Sequence, residues 1–262
     1  IFISLSLNLI VSLNIYLTNL LFFFFLLFEI FKIFTNKISY KILISLFFVI
    51  LYSAIITLYS MPNDDYQLYH LPYIEILKKY KIIFGLSNIH ERFGHVSIIQ
   101  NISSLSNNFL MGQDSYVFFA SIFMSIIVLK LFFLIINSKN NFVSILSLVS
   151  IVYILIHGNR YGAIGNDYIP HFGGILSILY LLESNKDQKR IALIISLLFI
   201  SILSKISLFF IIIFFIPLLI KKQNFIYLKS YSILITLTFF LFLFKNFINT
   251  SCFIYPINLT CI

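Results

Sequence analysis

Apolar stretches long enough to cross a lipid bilayer, separated by short polar breaks, constrain this chain more than any other feature. A hydrocarbon core of about 30 Å takes about twenty helical residues. Runs approaching that length lie at roughly 3–31, 42–61, 116–136, 142–158, 168–183, 191–220 and 230–244. Charged residues are only 10% of the 262, whereas about a quarter of a soluble domain is charged. Backbone polar groups in hydrocarbon must be satisfied internally, and the sustained alternation of a β-barrel is absent. The expected fold class is therefore all-α, a polytopic transmembrane helical bundle. It forms one domain over residues 1–262, with interfacial helices in a large external loop at 62–115. The chain starts with Ile1 and stops in polar sequence at Ile262, so we expect it to be incomplete at both ends. No cleavable signal pattern opens it.

Two runs are too long for one straight span. Within 3–31, Asn8, Asn14 and Asn19 are candidate break points, and the number of spans there stays open. Within 191–220, Ser204-Lys205 interrupts the run, which predicts two short helices meeting at Lys205. Basic residues then orient the chain. Segments 32–41, 137–141, 184–190 and 221–229 carry Lys32, Lys37, Lys41, Lys139, Lys186, Lys189, Arg190, Lys221, Lys222 and Lys229, as cytoplasmic loops do. The parity works only if 191–220 is a hairpin with Lys205 at the opposite face. Segments 62–115, 159–167 and 245–262 then fall on the non-cytoplasmic side. Lys78, Lys79 and Lys81 run against the rule, in a long loop where the bias is weaker.

That opposite side holds the chemistry. His70, His90, His95, His157 and His171 map to it or its boundary, with Asp64, Asp65, Glu75, Glu91, Asp114 and Asp167. The densest patch is Met61–His70, M-P-N-D-D-Y-Q-L-Y-H, directly after an apolar run. Ionisable groups at such a boundary are costly unless solvated or used. Pro72 suits a first helical turn, and Leu71, Ile74 and Leu77 with Lys78 and Lys79 predict an amphipathic helix over 71–80 in the interface plane. Gly85, Ser87 and Asn88 read as a turn. The polar stretch 96–110 reads as a second interfacial helix or as the lining of a polar cavity.

Each polar candidate has a plain structural use beside the chemical one. Asp64 and Asp65 suit a turn and helix cap after Pro62, or one of them is a general base taking a proton from an acceptor hydroxyl. Asp167 caps the next helix or belongs to the site. Lys205 snorkels from a helix end, or serves the site. His90 and His95 are five apart, which is not a helical metal-ligand spacing, so no metal site is assigned. His157 and His171 read as helix-end residues. Cys252 and Cys261 can form a disulfide outside a reducing compartment. The Asn-x-Ser/Thr matches at Asn101, Asn249 and Asn258 are expected by chance in so Asn-rich a chain. The net charge of +9 comes largely from loop lysines, and no nucleic-acid motif accompanies it.

Asp65-x-x-x-Tyr69-His70 after the second span resembles the first-external-loop signature of GT-C glycosyltransferases. Gly85-Leu86-Ser87-Asn88-Ile89-His90-Glu91-Arg92-Phe93-Gly94 is similar to a stretch of bacterial members. Asn166-Asp167-Tyr168-Ile169-Pro170, Lys205-Ile206-Ser207, Lys245-Asn246 and Cys252-Phe253-Ile254-Tyr255-Pro256 continue the likeness, which runs from about residue 60 to the end. The resemblance implies a bacterial inner-membrane enzyme, working on the periplasmic or extracellular side. It would move a sugar, with inversion, from a polyprenyl-phosphate-linked donor to a glycan, lipid or protein acceptor. Asp65 would be the base and Asp64 a second choice. Arg92, Arg160 and Lys205 would hold the donor phosphate, and Tyr69, His70, His90 and Asp167 would contact substrate. No cofactor is assigned, and a divalent cation is left open. The lipid bilayer is a partner; nucleic acid is not. Complete family members carry more spans and a C-terminal soluble portion, so acceptor recognition is expected to lie outside this chain. The alternative is a transporter or flippase of lipid-linked saccharides, which requires ionisable residues deep within spans. A purely structural subunit leaves the His/Asp/Arg clustering unexplained.

Overall fold

The computed structural model describes residues 2–35, 40–60, 64–95, 97–106, 115–157, 167–183, 188–216 and 222–262, and contains no strand among them. The helices are α1 (Phe2–Ile10), α2 (Ile15–Thr35), α3 (Tyr40–Tyr59), α4 (Leu71–Lys79), α5 (Ile98–Ser104), α6 (Ser115–Asn137), α7 (Asn141–Ile156), α8 (Tyr168–Leu182), α9 (Gln188–Ser204) and α10 (Lys222–Thr250). A π-helical turn (Tyr66–His70) runs directly into α4, and a 3₁₀ run (Ile206–Phe215) follows α9. Tyr40–Tyr59, Tyr116–Asn137 and Ile233–Thr250 are long and apolar enough to cross a membrane. On α3 only Val49, Ser53 and Ile56 are buried, and the rest of its surface is largely exposed hydrocarbon.

The long first run breaks once, at residues 11–14. Asn14 Oδ1 accepts from Leu17 N at 3.0 Å, which satisfies one of the orphan donors at the start of α2. Asn8 does not break a helix. It donates to Leu77 O at 3.5 Å and Tyr80 O at 3.3 Å, tying α1 to the end of α4. Asn19 stays inside α2 and bonds back to Ile15 O at 2.6 Å. The run 191–220 breaks at Lys205, where the backbone is extended at φ −146° and ψ 102°.

Small and hydroxylated residues set the helix contacts. Ser53 and Ser125 hydroxyls meet at 2.9 Å between α3 and α6, and Thr57 faces Ser121 at 3.5 Å. A Cβ on Gly173 of α8 would lie 2.6 Å from Ser201 Oγ of α9, so any larger residue would have to displace that hydroxyl. These pairings make both helix pairs antiparallel. The 3₁₀ run then travels back beside α8, because Ile211 lies against Gly174 while Lys205 lies against Asp167. At one end of the molecule Ser138 and the Lys139 amide meet Glu183. The other end gathers the close of α3, the 64–106 segment, the start of α8, Lys205 and the end of α10.

Two expectations need correction here. The second short helix, α5, is buried over its whole length and so does not lie on the surface as an interfacial helix would; residues 96 and 107–110 of that polar stretch lie outside the described residues. The tail does not begin at 245, because α10 runs on through Thr250 and buries Lys245 and Asn246. Helix α4 spans 71–79 and turns Tyr73, Ile74 and Leu77 inward.

Candidate functional site

A cavity of about 360 Å³ opens at the end where these elements meet. Its wall includes Tyr69, His70, Arg92, His95, Ser97, Asp167, Ser204, Lys205, Ser207, Asn246, Tyr255 and Pro256. The π-helical turn presents Tyr69 and His70, while Asp65 stands at its N-cap position without capping it. The Asp65 carboxylate instead accepts from Arg92 Nη1 at 3.1 Å. The same guanidinium lies 4.8 Å from the Tyr69 ring centroid, a cation–π distance. Asp167 likewise occupies the N-cap position of α8 without a side-chain cap, and its carboxylate accepts from Lys205 Nζ. Two carboxylates that suit caps are thus turned onto cations.

Local sequence explains how Arg92 is held. Gly85 takes a left-handed φ of 65°, which favours glycine, and its N–H donates to Ile248 O at 2.9 Å. His90 Nδ1 then accepts from Arg92 N at 3.2 Å, opening the short 3₁₀ turn Glu91–Gly94. A Cβ on Gly94 would fall 2.9 Å from both Thr250 Cγ2 and Tyr255 Cε1, so that turn packs directly on the C-terminal loop. The Cys252–Cys261 disulfide closes this loop, and it places Tyr255 and Pro256 on the cavity wall.

Beneath the opening lies a polar layer. His70 is 4% exposed, and Gln100 Nε2 donates to its Nδ1 at 2.7 Å. Burial pushes the His70 imidazole down to about 4, against a smaller upward pull from Asp65 and Asp167. The ring is therefore neutral at physiological pH. Burial, then Arg92, also lowers His95, whose ring packs 5.0 Å from that of Tyr255. Tyr69 is raised, chiefly by burial, and keeps its proton. Deeper still, Lys245 Nζ donates to Asn8 Oδ1 at 2.8 Å and Asn101 Oδ1 at 2.5 Å.

Of the residues singled out from sequence, Tyr69, His70, Arg92, Asp167 and Lys205 line the cavity. Asp65 reaches it through Arg92. Asp64 is exposed and is not on the wall. His90 is also exposed and off the wall, and acts on the backbone of Arg92. Arg160 lies outside the described residues. His95, Ser97, Ser204 and the Gln100 beneath His70 were not assigned to the site from sequence. Ser97 in so polar a stretch carries no signal of its own, Ser204 marks only the break before Lys205, and His95 is marked only by its place one residue after Gly94. Asn246, Tyr255 and Pro256 lie far along the chain, and only the path of α10 brings them here.

Asp65 and Asp167 are each turned onto a basic side chain, and among the described residues no three His, Cys, Asp or Glu side chains converge. The wall offers two fixed cations, the Asp167 carboxylate with Asp65 held behind Arg92, neutral imidazole and hydroxyl donors. Such a set can hold a phosphate and move a proton beside it.

No curated protein and no solved structure gives a match to this chain. A model of one family does match, over residues 1–262, and the chain belongs to that family, the domain of unknown function DUF8201.

Proposed function

We propose that this chain is an integral membrane glycosyltransferase of the GT-C type. It moves a sugar from a polyprenyl-phosphate donor to a hydroxyl of an envelope glycan, lipid or protein, with inversion. The observation that carries the reading is the convergence of Asp65–Arg92 and Asp167–Lys205 around one cavity. A donor phosphate competes with the two carboxylates for Arg92 and Lys205. Its arrival leaves Asp65 beside the acceptor hydroxyl, whose proton it takes. The acceptor oxygen then bonds to the anomeric carbon as the bond from that carbon to the phosphate oxygen breaks. The bonding pair leaves on the phosphate, where Arg92 and Lys205 balance the charge. Neutral His70 and protonated Tyr69 suit hydrogen bonds to sugar hydroxyls.

In this reading α3, α6 and α10 cross a bacterial inner membrane and the cavity faces the periplasm or the exterior. Lys41 and Lys139 at the opposite end support the orientation. A disulfide at the cavity end supports an oxidising compartment. Asp65→Asn is expected to lower transfer by about 10²–10⁴-fold, the range for losing a general base, with insertion and thermal unfolding unchanged. Wild-type transfer by that variant removes Asp65 from the mechanism.

One observation favours the transporter reading: Lys245 is an ionisable side chain inside a helix able to span the membrane. Its two amide partners hold it in place rather than along a path. Release of free polyprenyl phosphate from labelled donor by the purified protein separates the two, since a transporter leaves the donor intact.

A further inference from the structure

A second, open groove of about 660 Å³ lies between the α1–α2 break and the segment after α4. It shares no residue with the first cavity. Its walls are joined by the chain itself. Leu13 N donates to Leu77 O and Ile82 N to Asn8 O, both at 2.9 Å, and the Asn8 side chain reaches Tyr80 O. Among three neighbouring lysines, Lys78 is turned away onto Glu75 at 2.8 Å and onto Tyr116. Lys79 and Lys81 are exposed and line the groove, and among the described residues no acidic one lines it with them. Ser12 and Asn14 add polar groups at its edge.

The rest of the wall is apolar and open, with Ile10 74% and Phe84 80% exposed. Two exposed cations, of which Lys79 also feels the Glu75 carboxylate, stand beside exposed hydrocarbon and match an amphiphile with an anionic head, which neither a free ion nor a neutral lipid matches. The helix that starts at the groove, α2, exposes Leu20, Phe23, Phe24 and Leu27 within one 100° face, a surface suited to acyl chain.

We propose that this groove binds the headgroup of an anionic phospholipid of the surrounding bilayer, its phosphate between Lys79 and Lys81. The site does not depend on the transfer reaction. It gives a use to two lysines that lie against the charge asymmetry of the other loops.

The test titrates the purified full chain, in neutral detergent, with phosphatidylglycerol and with phosphatidylcholine, counting bound lipid by native mass spectrometry. The wild type is expected to prefer phosphatidylglycerol. Lys79→Gln with Lys81→Gln should weaken that binding about tenfold or more, as loss of two basic contacts does, and leave phosphatidylcholine unaffected. Lys79→Arg with Lys81→Arg should restore it. Equal binding of the two lipids by the wild type overturns the proposal. So does an equal loss in a Lys41→Gln, Lys139→Gln control, which would reduce the effect to general charge attraction.

Discussion

The ion pairs on the cavity wall and the amine beneath it satisfy their charge and hydrogen-bonding needs on different terms. Asp65 and Arg92 keep 49% and 48% of their side chains exposed, and water competes for both. Lys245 is 1% exposed, and among the described residues no carboxylate pairs with it. Two asparagine side-chain carbonyls, one from α1 and one from α5, accept its hydrogen bonds instead. Exposed pairs add about 0–1 kcal/mol each. Their partners are therefore free to be exchanged for a ligand at small cost to the fold. A buried amine has no solvent to fall back on, so its neighbours are committed. The contrast separates a layer built to be rearranged from a layer built to hold α1, α5 and α10 together.

The largest expected effect tests the committed layer. Lys245→Ala removes buried volume and orphans the Asn8 and Asn101 carbonyls, and should cost about 3 kcal/mol or more of stability. Thermal unfolding in mild detergent reads it, and an unchanged midpoint would erase the distinction between the layers.

A comparable effect is expected from pH, through the layer between. Burial holds the His70 imidazole at about 4, below the ordinary histidine value of 6.5. The unfolded chain then binds more protons between those two values, so stability is complete above about pH 6.5 and declines as pH falls toward 4. The contribution is roughly 3 kcal/mol, at about 1.4 kcal/mol per pH unit. His70→Asn should flatten most of that decline; His95, also lowered, supplies the remainder in the same direction. A variant as acid-sensitive as the wild type would put the effect elsewhere.

The smallest change in stability sharpens the comparison most. Arg92→Gln and Lys205→Gln should each leave the thermal unfolding midpoint nearly unchanged, as loss of a solvent-exposed ion pair does. Under the proposed function both should nevertheless lose most transfer from a polyprenyl-phosphate donor. If either variant instead unfolds readily, the wall pairs are structural and the layers are alike.

Much of the architecture was legible in the residues. Lys205 inside an apolar run marked a break where the chain turns back, because a charge in hydrocarbon forces a boundary. Asn14, among three candidate asparagines, became the cap where α2 begins, whereas Asn8 and Asn19 could not be told apart from it by type. The same short polar side chain serves as cap, tether or back-bond according to what packs beside it. Asp65 and Asp167 were legible as either caps or site residues, and only the positions of Arg92 and Lys205 decided where their carboxylates turn. The buried polar face of α5 was half legible, since a run of Gln, Asn and Ser fits a water-facing helix as well as an inward lining.

By itself the sequence determined that this chain is helical and apolar, where its helices break, and which stretches concentrate charge. Those properties follow from hydrocarbon length, backbone satisfaction and residue type, all of which act locally. The tertiary structure alone decided that Asn8, Asn101 and Lys245 share one buried contact. It also brought Tyr255 and Pro256 to a cavity that takes Tyr69, His70 and Arg92 from more than a hundred residues earlier. Such pairings depend on the register between packed helices, and no periodicity in a single helix encodes the register of its neighbour.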